Sequence, residues 1–174
     1  MKRLYHIRYL ALLAFFVGLM GVMQSCVSYS FTGASIPPEA KTISIQYFEN
    51  KADFIVPSLS AALTNAVEDK FTGQTDLALV ENEGDLKIEG YISNYTITPQ
   101  AITGNETAAL TRLTISVKVK YENTIETNKD YESTFTRYEE FDSGSDISSV
   151  QEALIESIVE MIAEDIFNKA VVNW

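Results

Sequence analysis

The segment Leu110–Ile125 constrains the fold of this chain more than any other, because apolar and polar side chains alternate along most of its length. Successive side chains of a β-strand point to opposite faces of a sheet, so this pattern predicts a long strand with one buried face. The residues expected to face the core are Leu113, Ile115, Val117, Val119 and Tyr121. Those expected to face away are Arg112, Thr114, Ser116, Lys118 and Lys120.

Further strands are predicted on both sides of this segment. They are Thr42–Phe48, Leu77–Val80, Asp85–Thr98 and Tyr131–Phe141. The short polar segment Glu126–Asp130 predicts a hairpin, and the polar residues 99–108 predict an exposed loop. In Asp85–Thr98 the apolar residues change parity between Ile92 and Tyr95, which predicts either a bulge near Ser93-Asn94 or burial on both faces.

Two segments have the apolar spacing of amphipathic helices. Pro57–Phe71 begins with a proline suited to the first helical position, and Gly73 is a typical stop residue. Ser148–Val171 begins with a possible capping box of Ser148 and Gln151. Four glutamates stand four residues apart along this helix: Glu152, Glu156, Glu160 and Glu164. They predict a solvated strip, with a basic groove on a partner as the alternative.

Together these elements predict the α+β class. We expect a two-layer α/β sandwich in which two amphipathic helices pack on one face of a mostly antiparallel sheet. The other face of the sheet would then meet water or a partner.

The N-terminus has the organisation of a secretory signal. Lys2, Arg3 and Arg8 precede a 14-residue apolar run that ends at Met23, and the only cysteine, Cys26, follows shortly after. This run is too short for an ordinary membrane span, which needs about 20 residues. We predict a lipoprotein signal peptide over residues 1–25, lipidation of Cys26, an extended tether over residues 26–40 and a single domain over residues 41–174. The alternative to a lipoprotein signal is an uncleaved anchor or an ordinary signal. Within the tether, the alternation over Tyr29–Thr32 predicts a short strand.

Removal of residues 1–25 would change the chemistry that the chain can perform. It would leave ten basic residues against 24 acidic ones, a formal charge of −14, which disfavours nucleic-acid phosphate and an anionic bilayer as partners. The only histidine, His6, would also be lost. This excludes Ser-His-Asp and Cys-His catalysis as well as imidazole–metal sites. We predict no cofactor, no metal site and no enzymatic activity, since no spacing distinguishes a particular carboxylate pair.

Several segments, in this order, resemble the LptE family of lipopolysaccharide-assembly lipoproteins in its Bacteroidota-like form. They are the Cys26 signal, Tyr29–Ala34, Lys41–Asn50, the helix that begins at Pro57, Asp85–Gly90 leading into Tyr95, and the C-terminal helix before Trp174. The resemblance covers nearly the whole chain after the signal.

The resemblance implies a fold, a location and a partner. The family fold is a two-layer α/β sandwich, and its partner is the outer-membrane β-barrel LptD, which it plugs and helps to assemble. It therefore implies a protein that is lipid-anchored on the periplasmic side of the outer membrane and assists lipopolysaccharide transport to the cell surface. The family also binds lipopolysaccharide through basic residues, for which the local candidates are Arg112, Lys118 and Lys120. The alternative is that these cations pair with glutamates on neighbouring strands.

Other interpretations of the residues stay open at this point. One is a free-standing periplasmic lipoprotein that binds a glycan or lipid in a cavity between sheet and helices. Another is a hydrolase that uses two carboxylates. The tyrosines Tyr91 and Tyr95 share a parity on their strand and are expected either at an interface or at the edge of the core.

Overall fold

The computed structural model describes residues 36–100 and 109–171. The predicted signal peptide, Cys26 and the predicted strand Tyr29–Thr32 lie outside these ranges. Six strands form one sheet: β1 (Thr42–Ile45), β2 (Glu49–Asn50), β3 (Ala78–Val80), β4 (Leu86–Pro99), β5 (Leu110–Asn123) and β6 (Tyr131–Asp142). Two long helices, α1 (Pro57–Gln74) and α2 (Ile147–Val171), complete the domain, with a short 3-10 turn at Thr127–Lys129.

The sheet is mixed but mostly antiparallel, which confirms the predicted α+β class. Its order is β3-β1-β4-β5-β6, and β2 pairs beside β1 on β4. The short strands β1 and β2 run parallel to β4, and β3 runs parallel to β1. The long strands β4, β5 and β6 are antiparallel neighbours, and they make up most of the sheet.

One face of the sheet and the apolar sides of both helices form the core. The predicted inward residues of β5 are all buried, so the predicted parity of this strand is confirmed. In α1 the buried side chains include Leu59, Leu63, Val67 and Phe71, and the ring of Phe71 packs edge-to-face on Phe167 of α2. Burial of this apolar surface is the main stabilising contribution to such a fold.

The helix ends differ in part from the sequence prediction. The start of α1 at Pro57 is confirmed, but the predicted stop at Gly73 is wrong, because the helix continues to Gln74. There Thr75 ends it, with both its backbone N–H and its hydroxyl donating to the carbonyl of Phe71. Helix α2 begins at Ile147, one residue before the predicted start, and the Asp146 carboxylate accepts from the backbone N–H of Ser148 at 3.0 Å.

A β-bulge in β4 reverses the faces of the strand. Ile92 pairs with Val117 and Asn94 pairs with Ser116, so Ser93 has no partner of its own. This confirms the predicted bulge. It also shows that the predicted common face of Tyr91 and Tyr95 is wrong: Tyr91 lies opposite outward-facing Lys118, whereas Tyr95 is buried opposite Ile115.

The predicted strand Thr42–Phe48 is interrupted after Ile45. The backbone N–H groups of Gln46 and Lys51 donate to the carbonyls of Ile88 and Ile92 in β4. The segment between Gln46 and Lys51 therefore has one more residue than the segment of β4 that it pairs with. The extra residue lets Phe48 turn into the core, where its N–H donates to Thr64 of α1 at 3.1 Å. A Cβ on Gly90 would lie 2.8 Å from the Phe48 ring and 2.4 Å from a backbone carbonyl oxygen. Only glycine leaves room for this packing.

The chain leading into β1 is fixed to the domain. Ile36 packs against the core and Ala40 is buried. The Asp85 carboxylate then accepts from the backbone N–H groups of Lys41 and Thr42 and from the Thr42 hydroxyl, at 2.8, 3.0 and 2.8 Å. These hydrogen bonds hold the pKa of Asp85 below its ordinary value, led by that from Lys41.

Candidate functional site

The face of the sheet that lies away from the helices, here called the outer face, carries the candidate site residues. Its side chains form rows across β4, β5 and β6. The rows at one end contain charges: Glu89, Lys120 and Glu132, then Tyr91, Lys118 and Thr134. The middle rows are uncharged: Asn94, Ser116 and Thr136, then Thr96, Thr114 and Tyr138. The last row contains Thr98, Arg112 and Glu140.

Arg112 is held by two neighbours on β6. Its Nη2 and Nε donate to one carboxylate oxygen of Glu140 at 2.6 and 3.1 Å. The guanidinium also lies over the ring of Tyr138, 3.9 Å from the ring centre, in a cation–π contact. These contacts hold the guanidinium close to β6.

Lys118 and Lys120 are also ion-paired. Lys118 contacts Glu132 on β6, and Lys120 contacts Glu122 on its own strand at 2.5 Å. The hydrogen bond from each lysine raises the pKa of that lysine and lowers the pKa of its glutamate partner. Arg112 and Lys118 thus pair with glutamates of a neighbouring strand, as the alternative from the sequence has it, whereas Lys120 pairs within its own strand. An anionic ligand at the two lysines would exchange with a carboxylate.

A groove of about 290 Å³ lies beside these two lysines. Its lining brings Lys51, from the segment after β2, together with Lys118 and Lys120. The Lys51 ammonium lies 4.8 Å from the centre of the Tyr91 ring and pairs with Glu49 at 3.3 Å. The groove thus combines three cations with an aromatic ring and neighbouring carboxylates.

The structure separates the three predicted basic residues into two places. Lys118 and Lys120 line the groove, whereas Arg112 lies six residues further along β5, about 20 Å away at the usual rise of an antiparallel strand. Lys51 was not a sequence candidate. It follows a strand interruption that depends on Phe48 and Gly90, so no spacing in the sequence relates it to Lys118.

The groove has the chemistry of a site for a group with mixed polarity. Charge-assisted hydrogen bonds from ammonium groups suit phosphate or carboxylate oxygens. The carboxylates of Glu49, Glu89 and Glu132 line the same groove and suit hydroxyl or ammonium donors. A sugar phosphate offers both kinds of group.

Residues 36–100 and 109–171 lack two further kinds of feature. Within these ranges no three or more His, Cys, Asp or Glu side chains are grouped to hold a metal ion. In the same part of the chain, no helix has the length and apolar character needed to cross a membrane.

Comparison with solved structures finds the same fold in other bacterial proteins. A minor lipoprotein from Acinetobacter baumannii superposes with a TM-score of 0.51 at 14% identity, over 75% of this chain and 91% of that one. Protein CT253 from Chlamydia trachomatis gives a TM-score of 0.52 at 10% identity, over 77% of this chain and 99% of that one. At these identities the similarity establishes the fold alone. No curated protein matches the sequence significantly.

The family is established by the sequence itself. The family model of LptE, described as lipopolysaccharide-assembly, matches residues 40–170. Because this match covers most of the chain, the chain belongs to the LptE family, and the resemblance noted in the sequence is confirmed. The members of this family are outer-membrane lipoproteins that act in lipopolysaccharide assembly and are not enzymes.

Proposed function

We propose that this chain is an outer-membrane lipoprotein that plugs the LptD β-barrel, assists its assembly and thereby supports lipopolysaccharide transport to the cell surface. The observation that carries the proposal is the LptE match over residues 40–170, which spans the whole sheet and nearly all of both helices. The role is structural and not enzymatic.

The proposed anchor is acylated Cys26 on the periplasmic side of the outer membrane. Residues 1–25 act as the signal peptide, and the mature protein begins at Cys26. A single acyl chain gives only marginal membrane binding, so stable anchoring takes more than one chain, palmitate among them. Residues 26–40 then tether the domain, and Ile36 within this segment packs against the core.

The proposed lipopolysaccharide contacts are Arg112, Lys118 and Lys120. All three lie on the outer face, where the helices do not cover them. Two of them line the groove beside Tyr91. A lipid A phosphate would replace glutamates as the partner of the ammonium groups, so these contacts would be strongest where the barrel lumen excludes water.

Purification through a tag after Trp174 tests the plug and the anchor together. From detergent-solubilised outer membrane we expect the barrel protein to co-purify, and mass spectrometry to find acyl mass on Cys26. The variant Cys26→Ser should lose the acyl mass. Recovery of the native chain alone in every detergent tried would contradict the plug.

The lipopolysaccharide contacts need a separate measurement. The combined substitutions R112A, K118A and K120A should lower crosslinking of lipopolysaccharide to the chain several-fold. Lys70→Ala is the matched control, because Lys70 is a cation of α1 that pairs with Glu164 of α2. Equal crosslinking in the triple variant and the control would remove these residues from the proposal.

The groove also favours a second candidate, a free-standing periplasmic lipoprotein that binds a glycan or lipid. Here the groove beside Tyr91 and Lys118 would hold the ligand without any barrel. This alternative predicts that the chain, purified with no barrel present, retains a glycan or lipid detectable by mass spectrometry. The plug, with its proposed lipopolysaccharide contacts, predicts that such a preparation carries no glycan or lipid other than lipopolysaccharide.

A further inference from the structure

Strand β6 forms a long open edge of the sheet, and we propose that this edge binds an extended strand of another polypeptide. It spans Tyr131–Asp142 and pairs with β5 along its whole length without a bulge. Among the described strands none pairs with its other side. A row of free backbone N–H and C=O groups recognises an extended main chain, as in strand addition to a sheet. The proposal goes beyond the plug and does not depend on it.

The register determines which backbone groups face the open side. Ser143 N–H donates to Ala109 C=O at 3.0 Å, in line with the register that pairs Asp142 with Leu110. Hydrogen-bonded pairs alternate with non-hydrogen-bonded pairs in an antiparallel ladder. The odd-numbered residues of β6 therefore bond to β5, and the even-numbered ones direct their backbone groups to the open edge. Between Tyr131 and Phe141 these are Glu132, Thr134, Thr136, Tyr138 and Glu140.

Of the usual guards of an edge strand, β6 has only charged side chains, and these are bound within the domain. Such edges are commonly protected by proline, lysine, bulges or charged side chains. No proline or lysine occurs between residues 131 and 142. The four charged side chains between Tyr131 and Phe141 are bound within the domain: Glu132 to Lys118, Arg137 to Asp165, Glu139 to Ser157 and Glu140 to Arg112. They are thus held towards β5 or α2 and do not block a strand that approaches the edge.

Charge indicates what kind of strand would bind. The chain carries a formal charge of −11, so a second copy is repelled and a neutral or basic strand is attracted. On the outer face, Glu132 and Glu140 already pair with Lys118 and Arg112, so a basic strand would share these carboxylates with the cations of β5. On the inner face, the partly buried Phe135 suits an apolar side chain. The expected occupant is therefore a strand from a different protein with one apolar face and one basic face.

The strand β5 already shows this pattern on the opposite side of β6. The probe is accordingly a labelled synthetic peptide with the sequence of Leu110–Asn123, added to the full chain in detergent. Its control peptide carries glutamate in place of Arg112, Lys118 and Lys120. We expect the first peptide to bind and to slow hydrogen exchange at the backbone amides of Thr134, Thr136 and Tyr138. The control peptide should bind several-fold more weakly.

Two substitutions of Thr136 distinguish the contribution of its backbone N–H from that of its side chain. Thr136→Pro removes an N–H that faces the open edge and leaves the ladder to β5 intact. It should weaken peptide binding at least about tenfold, through one lost hydrogen bond and the clash of the ring. Thr136→Val keeps this N–H and should bind within about twofold of the wild type.

Three results would overturn the proposal. They are absence of peptide binding to the wild type, equal binding by T136P and the wild type, or unchanged exchange at the even-numbered amides when the peptide is bound. A wild-type dimer that T136P converts to a monomer would also overturn it, because the edge would then belong to a second copy. If T136P does not fold, hydrogen exchange in the wild type, with and without the peptide, tests the proposal by itself.

Discussion

The two faces of β5 are held in place by different interactions. On the inner face, Leu113, Ile115 and Val117 are fully buried under the helices. On the outer face, Arg112 and Lys118 are fixed by glutamates of β6 and remain accessible to solvent. Burial of apolar surface contributes far more stability than exposed ion pairs do. The inner face therefore determines whether the domain folds, and the outer face is available for binding.

The largest expected effect comes from creating a cavity at the inner face of β5. Ile115→Ala removes a fully buried side chain and should lower the free energy of unfolding by about 3 kcal/mol. Urea unfolding followed by circular dichroism measures this change. Thr114→Ala, the neighbouring residue on the outer face, is the control and should change stability by less than about 0.5 kcal/mol. Similar losses for both variants would contradict the contrast between the faces.

Gly90 lies where the interruption between β1 and β2 meets β4. Gly90→Ala places a methyl group against the Phe48 ring and a backbone carbonyl, so it should destabilise the domain by about 2 kcal/mol. Gly73→Ala is the control, because a Cβ on Gly73 meets no atom within 4 Å and the residue lies in helix α1. This control should stabilise the domain by about 0.5 kcal/mol. A melting temperature that falls for Gly90→Ala and rises for Gly73→Ala supports the account. A change in the same direction for both variants contradicts it.

A smaller loss is expected from the hydroxyl that supports the same interruption. Thr64→Val removes the acceptor for the Phe48 N–H, and a buried donor without a partner costs about 1–2 kcal/mol. Thr72→Val is the control, since the Thr72 hydroxyl bonds only to the Glu68 carbonyl on the exposed side of α1. Denaturant unfolding should find the control close to the wild type. A loss of similar size in both would show that the Phe48 bond contributes little.

The smallest expected effect is the dependence of stability on pH through Asp85. Its folded pKa lies below the unfolded value, so its stabilising contribution is present above the unfolded pKa, near pH 4, and is lost as the pH falls through the folded pKa. The melting temperature of Asp85→Asn should therefore fall less steeply than that of the wild type below about pH 4. Asp69→Asn, on the exposed side of α1, is the control. If the melting temperatures of the wild type and D85N fall equally steeply at acid pH, this role of Asp85 is contradicted.

The sequence predicted those parts of the fold that depend on local periodicity. The alternation of β5, the start of α1 at Pro57 and the bulge near Ser93 all follow from residues close together in the chain. The interruption after Ile45 did not, because it depends on Thr64 and Gly90, which are distant in sequence. The continuation of α1 past Gly73 escaped prediction because Thr75 supplies the hydrogen bonds that end the helix.

Prediction of the candidate site was less complete for the same reason. The basic residues of β5 were evident from the sequence, but their partners lie on β6, and only the register reveals which glutamate meets which cation. Lys51 joins the groove only because β2 pairs with β4 beside Tyr91. The two edges of the sheet likewise differ only in the assembled fold, where β3 has three residues and β6 has twelve.

The proposed role in barrel assembly is tested most directly in cells from which this chain is depleted. The quantity to measure is the fraction of LptD in the outer membrane that is folded, read from its gel mobility with and without heating. The account predicts that this fraction falls several-fold on depletion and recovers when the wild-type chain is supplied. An unchanged folded fraction after the chain has disappeared from the membrane would contradict it.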